Sequence, residues 1–229
     1  MKEYTRLESD SIGEMEIPEN AYYGVQSLRA RENFPITGAK LHPVFIKNLA
    51  RIKRAAAITN RAIEMLCGKK GDYTIIHPND HVNMAQSTND VIPTAGKLTV
   101  LDLLKPLDKS LLRLSNALYQ KADEFDDVIK IGRTQLEDAV PMRLGQSFHA
   151  YATMISRDRD RLMKIRSEMY TVNMGATAIG TAINTSSFYL ANIVPTLARI
   201  TGYPLTQADD LFDSITTLTH TVDTLELSF

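Results

Sequence analysis

One cysteine, no tryptophan and no surplus of either charge mark this chain of 229 residues. Cys67 has no second thiol with which to form an internal disulfide, so the fold rests on packing alone, and the expected setting is a reducing one, the cytoplasm. Lys and Arg total 26 against 27 Asp and Glu, a formal net charge of −1. That balance argues against nucleic acid and against an anionic membrane surface as partners, and leaves small molecules as the default. No apolar run approaches the roughly 18 residues of a membrane span. The opening residues Met1-Lys2-Glu3-Tyr4-Thr5-Arg6 carry no apolar signal core. Internal repeats and low-complexity segments are also lacking.

What is present is a hydrophobic content of 44%, enough for a sizeable core, arranged mostly at helical spacing. Residues 1 to about 43 are broken by Gly13, Pro18, Gly24, Pro35, Gly38 and Pro43 and read as irregular, with a short strand around Tyr22 to Gln26. From Val44, the residues Phe45, Leu49, Ile52, Ala55, Ala56, Ile63 and Leu66 recur every three or four positions until Gly68 and Gly71 stop the pattern. After Asn89 the stripe Leu98, Leu101, Leu104, Leu107, Leu111, Leu114, Leu118, Ala122, Phe125 predicts one very long helix, with Pro93 tolerated near its start and Pro106 kinking it or dividing it in two. A second long helix is expected from about Gly145 to Tyr170. Its Arg157-Asp158-Arg159-Asp160-Arg161 run reads as a solvated or intersubunit face, with Asp160 and Lys164 paired. Further helices are expected over about Ser187 to Thr201 and from about Gln207 onward. The fold class is mainly α, a bundle of long helices with a small irregular N-terminal region.

The segment from His77 to Asp90 sets short hydrogen-bonding side chains against the start of the longest helix. Ser, Thr and Asn satisfy the free N–H groups of a first turn, and the positive end of the helix dipole lies at the same place, so the motif is either an ordinary cap or a site for a carboxylate or phosphate. His77 and His81 have the spacing of a helical zinc pair, but Pro78 follows the first and no Glu lies between them, so no metal site is expected. Gly175-Ala176-Thr177-Ala178-Ile179-Gly180 lacks the Lys and Ser or Thr of a phosphate loop and reads as a tight glycine turn. Asn184-Thr185-Ser186-Ser187 reads as a cap. Lys130 to Met142 reads as a polar loop joining the two longest helices, a place where sites are commonly built.

In order along the chain, Ala21-Tyr22-Tyr23-Gly24-Val25 with Arg31-Glu32-Asn33-Phe34, then His77 to Asp90, then Gly132 to Met142, then Gly175 to Thr181 resemble the aspartase/fumarase superfamily. Gln86-Ser87-Thr88-Asn89-Asp90, Thr134-Gln135, Val140 and Ala176-Thr177-Ala178 lean toward its aspartate ammonia-lyase branch, since the fumarases usually show a second Ser at position 88 and a His at 135. The resemblance implies reversible elimination of ammonia from L-aspartate to give fumarate, with no organic cofactor, in a homotetramer. It implies that Ser87 and Thr88 donate to the aci-carboxylate formed when the barely acidic Cβ proton leaves, a task suited to neutral donors at a helix N-terminus. It further implies that Asn89, Thr134 and Gln135 contact the substrate's amino group and other carboxylate, supplying orientation.

Two family segments have no counterpart. The first signature, a Thr-Ser pair followed by Asn-Met-Asn and Asn-Glu, would fall where only Cys67-Gly68-Lys69 stands, and the late Gly-Ser-Ser loop with the general-base serine is not reached. No catalytic base is therefore expected, and the chain alone is expected to be inactive. The expected layout is a shortened N-terminal domain over 1–86 and the first part of the central bundle over 87–229. The stripes of the two longest helices exceed what the remaining helices can cover, so oligomers are expected. The rival readings are a fumarate hydratase or another lyase of the superfamily, and a non-catalytic helical assembly fragment.

Overall fold

A computed structural model of the chain describes residues 4–21, 23–36, 38, 40–59 and 82–216. Strands β1 (Thr5–Asp10) and β2 (Gly13–Pro18) form an antiparallel hairpin in which Thr5 lies opposite Pro18 and Asp10 opposite Gly13. The Asp10 carboxylate closes the turn by accepting from the N–H groups of Ile12 and Gly13. It also receives the Arg29 guanidinium at 3.0 and 3.2 Å, which docks helix α1 (Val25–Asn33) on the hairpin. The strand expected around Tyr22 to Gln26 is thus corrected: the strands lie earlier, and Val25 already begins a helix. The hairpin escapes an apolar-periodicity reading because its alternation is built from Arg6, Glu8, Glu14 and Glu16, with Ile17 its one fully buried apolar residue.

Helix α2 (Pro43–Thr59) begins at a proline, whose fixed φ and missing N–H suit a first turn. Its expected continuation to Leu66 lies outside the described residues, as do Cys67, His77 and His81. Helix α3 (Thr88–Glu124) is a single element of 37 residues that carries through both Pro93 and Pro106. Pro93 has no N–H to give to the Asn89 carbonyl one turn back, and that carbonyl instead accepts from the Asn173 side-chain amide at 3.0 Å.

The segment expected as a polar loop is a second antiparallel hairpin, β3 (Ile129–Thr134) and β4 (Glu137–Arg143), with an irregularity in register between Ile131 and Arg133. Its tip is the pair Gln135 and Leu136, both left-handed at φ 45° and 65°. That is the backbone of a two-residue turn matched to strand twist, a turn usually announced by Asn-Gly. The glycine signal is missing, which is why the strands were unreadable here.

Helix α4 (Leu144–Glu168) returns along α3, and Gly145 marks the crossing: its N–H donates to the Phe125 carbonyl at 2.9 Å, and a Cβ there would collide with the Ala122 carbonyl and the Asp126 backbone. In the charged run, Arg161 pairs with Asp158 and Arg159 with Asp108 of α3, in place of the expected Asp160 and Lys164 pair. After β5 (Thr171–Val172) comes α5 (Ser187–Thr201), as the periodicity predicts, capped by the Ser186 hydroxyl and ended by left-handed Gly202. The helix expected from Gln207 starts later. Strand β6 (Thr206–Gln207) pairs in parallel with β5, and α6 (Leu211–Thr216) begins where the Asp210 carboxylate accepts from the Phe212 and Asp213 N–H groups.

The architecture is mainly α, as expected. Ile52, Ala55 and Ala56 of α2, Leu98 and Leu101 of α3, Ile165 of α4, and Ile193 and Leu197 of α5 share one core. Beyond Leu104 only Ser115 and Ala122 of α3 are buried, while Leu107, Leu112 and Leu114 face solvent. No helix of the described residues is long and apolar enough to cross a membrane.

Candidate functional site

The start of α3 is built first as a cap. Ser87 sits in extended conformation, its hydroxyl accepts from the Asn89 N–H at 3.3 Å, and the Asp90 carboxylate accepts from the Ser87 N–H at 2.9 Å. This reciprocal arrangement satisfies donors that a helix start leaves free. The simple cap is therefore realised, but the residues do more than cap.

Asp90 is fully buried, and its second carboxylate oxygen accepts from the N–H groups of Gly175 at 3.1 Å and Thr177 at 3.2 Å. The expected glycine turn is thereby clamped onto the start of α3. Asn89 adds a bond from its side-chain amide to the Ala178 carbonyl at 2.7 Å, and Asn173 joins the Asn89 carbonyl to the Thr94 hydroxyl. Gly175 has φ 96°, which suits glycine, but Thr177 has φ 61°, an outlier for a β-branched side chain, and its buried hydroxyl has no partner among the described residues. Strain of that kind persists only where neighbours over-determine it. Burial pushes the Asp90 carboxyl above the usual carboxylate range, against the pull of the N–H groups of Ser87, Thr177 and Gly175. The buried Tyr189 hydroxyl nearby is pushed up by burial and then by the Asp90 charge.

On the other side stands Lys53 of α2. Its ammonium donates to Asn83 Oδ1 and Gln86 Oε1, each at 2.7 Å, while the Gln86 amide is itself held by the Val82 carbonyl. Burial lowers the Lys53 pKa and the Asp90 charge works the other way. Lys53, Asn83, Gln86, Ser87 and Thr88 line an open cleft of about 490 Å³ whose apolar wall is Leu49, Val91 and Ile92. A half-buried ammonium, two hydroxyls and a helix N-terminus together make a cleft suited to a carboxylate.

Of the sequence-predicted residues, the structure brings Ser87, Thr88 and Asn89 together and leaves Thr134 and Gln135 apart. The latter two are exposed at the tip of the β3–β4 hairpin, beside an equally exposed Arg133–Asp138 pair. The hairpin follows the far end of α3, about 55 Å from Ser87 at the helical rise. Within one chain the two groups cannot touch the same small molecule. Sequence reasoning missed Lys53, Asp90 and Asn173. Asp90 had a readable signal, three positions after a capping Ser; Lys53 is one of several cations on α2, and Asn173 stands in a segment without pattern. Among the described residues no group of three or more His, Cys, Asp or Glu could hold a metal ion.

The chain is 42% identical to the aspartate ammonia-lyase of Bacillus subtilis (strain 168), over an alignment of 266 positions that takes in 93% of this chain and 56% of that protein. To the aspartate ammonia-lyase of Escherichia coli (strain K12) it is 33% identical, with 93% and 56% covered. The chain thus spans little more than half the length of these relatives. Both alignments are longer than the chain itself, so the relatives carry internal residues with no counterpart here. Among solved structures, the fumarate lyase:delta crystallin from Brucella melitensis bound to cobalt superposes with a TM-score of 0.88 at 36% identity, covering 98% of this chain and 61% of that one. The class II fumarase from Schistosoma mansoni, at 24% identity and a TM-score of 0.81, shares the fold. The family model described as lyase matches residues 58–228, a span that holds the α3 cap, the β3–β4 hairpin and the clamped glycine turn, and the chain belongs to that lyase family.

Proposed function

We propose that the protein takes part in the reversible elimination of ammonia from L-aspartate to give fumarate. The observation that carries this reading is the cleft at the α3 N-terminus, where Ser87 and Thr88 stand beside the Lys53 ammonium on a start clamped by Asp90. Removing the Cβ proton places a second negative charge on the adjacent carboxylate, and fixed donors at a helix start stabilise that charge without reorganising. Asn89 is anchored to the Ala178 carbonyl and presents its remaining oxygen as an acceptor for the substrate's ammonium. Thr134 and Gln135, one helix length away, serve the site of a neighbouring subunit in a homotetramer. In this reading 1–86 is a shortened N-terminal domain and 87–229 the first part of the central bundle, and the substrate is a free small molecule needing no organic cofactor.

The test is an assay of fumarate formation from L-aspartate, made on the chain as it stands and on the chain supplemented with the first signature and Gly-Ser-Ser loop of the Bacillus subtilis relative. Turnover is expected in the supplemented protein and to fall on the order of ten- to a thousandfold in Ser87→Ala and in Thr88→Ala. Thr134→Ala and Gln135→Ala should mainly raise KM. A supplemented protein that hydrates fumarate and fails to aminate it overturns the proposal in favour of a fumarase.

A further inference from the structure

We infer that the groove between α3 and α4 holds a second anion site, for a small dianionic oxyanion. Lys105 and Lys109 lie one turn apart on α3 and Arg166 faces them from α4; with Leu104, Met163 and Asp108 they line a pocket of about 210 Å³. At roughly 1.5 Å per residue of helix, Lys105 stands about 26 Å from the α3 start, so this pocket is separate from the proposed substrate cleft.

The charges in the pocket are not balanced from within. Asp108, its only acid, takes the Arg159 guanidinium at 2.8 Å and is thereby neutralised. Lys105 stands over the Tyr203 ring, 4.3 Å from its centroid, and neither it nor Lys109 has a carboxylate partner among the described residues. Arg166 reaches the Met163 sulfur, at 4.0 Å, and lies over the Tyr170 ring, 6.0 Å from its centroid, while its buried Nε has no acceptor among the described residues. A buried guanidinium N–H without an acceptor is rare, and like charges one helical turn apart repel. A dianion in the pocket offsets the two lysine charges, and its paired oxygens suit the terminal nitrogens of the planar arginine fork. The pocket is smaller than those that take drug-sized molecules, which limits the ligand to the size of phosphate or a four-carbon dicarboxylate.

The test is calorimetric titration of the purified chain with inorganic phosphate, succinate and acetate at constant ionic strength. Saturable binding of phosphate or succinate is expected, weakened about tenfold in Arg166→Gln, which loses the fork, and several-fold in Lys109→Gln. Arg166→Lys, which keeps the charge without the fork, should fall between. Lys109 is exposed, so its variant reports on the site even if Arg166→Gln fails to fold. Tighter phosphate identifies free phosphate or a phosphate monoester as the ligand, and tighter succinate a dicarboxylate. Non-saturating heats, acetate binding as tight as either dianion, or affinity unchanged in Lys109→Gln would each overturn the inference.

Discussion

The segment entering α3 and the β3–β4 hairpin are alike in polarity and unlike in everything that fixes a side chain. At the α3 start, Asp90, Asn89, Asn173 and Lys53 tie together three separate parts of the chain with bonds that reach across 30 to 89 residues. The hairpin bonds to itself and, through Arg143 and Asp126, to the end of α3. Ile129, Val140 and Leu136, the last 98% exposed, face solvent along it. A two-stranded hairpin is marginal alone, and such residues are usually covered in the working assembly. The comparison teaches that polarity in a sequence marks both kinds of segment, whereas burial and partners separate a segment held by the rest of the fold from one held mostly by itself.

The largest effect should come from breaking the clamp. Asp90→Ala leaves the Ser87, Gly175 and Thr177 N–H groups without their acceptor and should cost about 3 kcal/mol or more in chemical denaturation, with the α3 start losing hydrogen-exchange protection. Asp90→Asn sharpens the same point through pH. The folded-state pKa of Asp90 is raised, so the protonated carboxyl is favoured by folding; its contribution is full at low pH and is lost as pH rises through the folded pKa. Wild type should therefore exceed Asp90→Asn by most near pH 4 and by less at neutrality. Equal gaps at both would show that burial does not govern this carboxyl.

Gly145→Ala comes next, since it sets a methyl against the Ala122 carbonyl and prises α4 from α3; a loss of about 1–3 kcal/mol is expected in thermal unfolding. Ser87→Ala removes the cap and should cost about 1 kcal/mol. On the hairpin, Arg133→Ala should change stability by less than about 0.5 kcal/mol, its ion pair being exposed. Leu136→Gly should raise stability slightly by relieving a left-handed backbone, an outcome readable as a small upward shift in Tm. Hairpin substitutions as costly as those at Asp90 would erase the distinction between the two regions.

The helices were legible where apolar residues recur at three and four positions: the 187–201 helix was read to the residue, and the α3 stripe correctly placed Leu98, Leu101, Leu104 and Ala122 inside. The same stripe placed Leu107 and Leu114 inside, and they are exposed, because periodicity records a face and not what covers it. Both hairpins were missed because neither carries the alternating apolar residues of a strand: the first turns mostly charged side chains to its inner face and fully buries only Ile17, and the second buries no residue and lacks the usual Asn-Gly turn. At the cleft, the motif on the helix start was visible as a cap or anion site. Its partners from α2 and the glycine turn were not, since they meet it only through the fold.

The length of α3 carries a further consequence. One unbroken helix connects the α3 start to the hairpin, so the angle at which the hairpin leaves the bundle is set by residue count. Each inserted residue advances the far end by about 1.5 Å and turns it by about 100°. A single insertion in the middle of α3 points the hairpin away from whatever it meets, while four inserted residues restore most of the phase. The helix works as a drive shaft keyed to 3.6, whose residue count, more than the chemistry of any one exposed position, sets where the hairpin points.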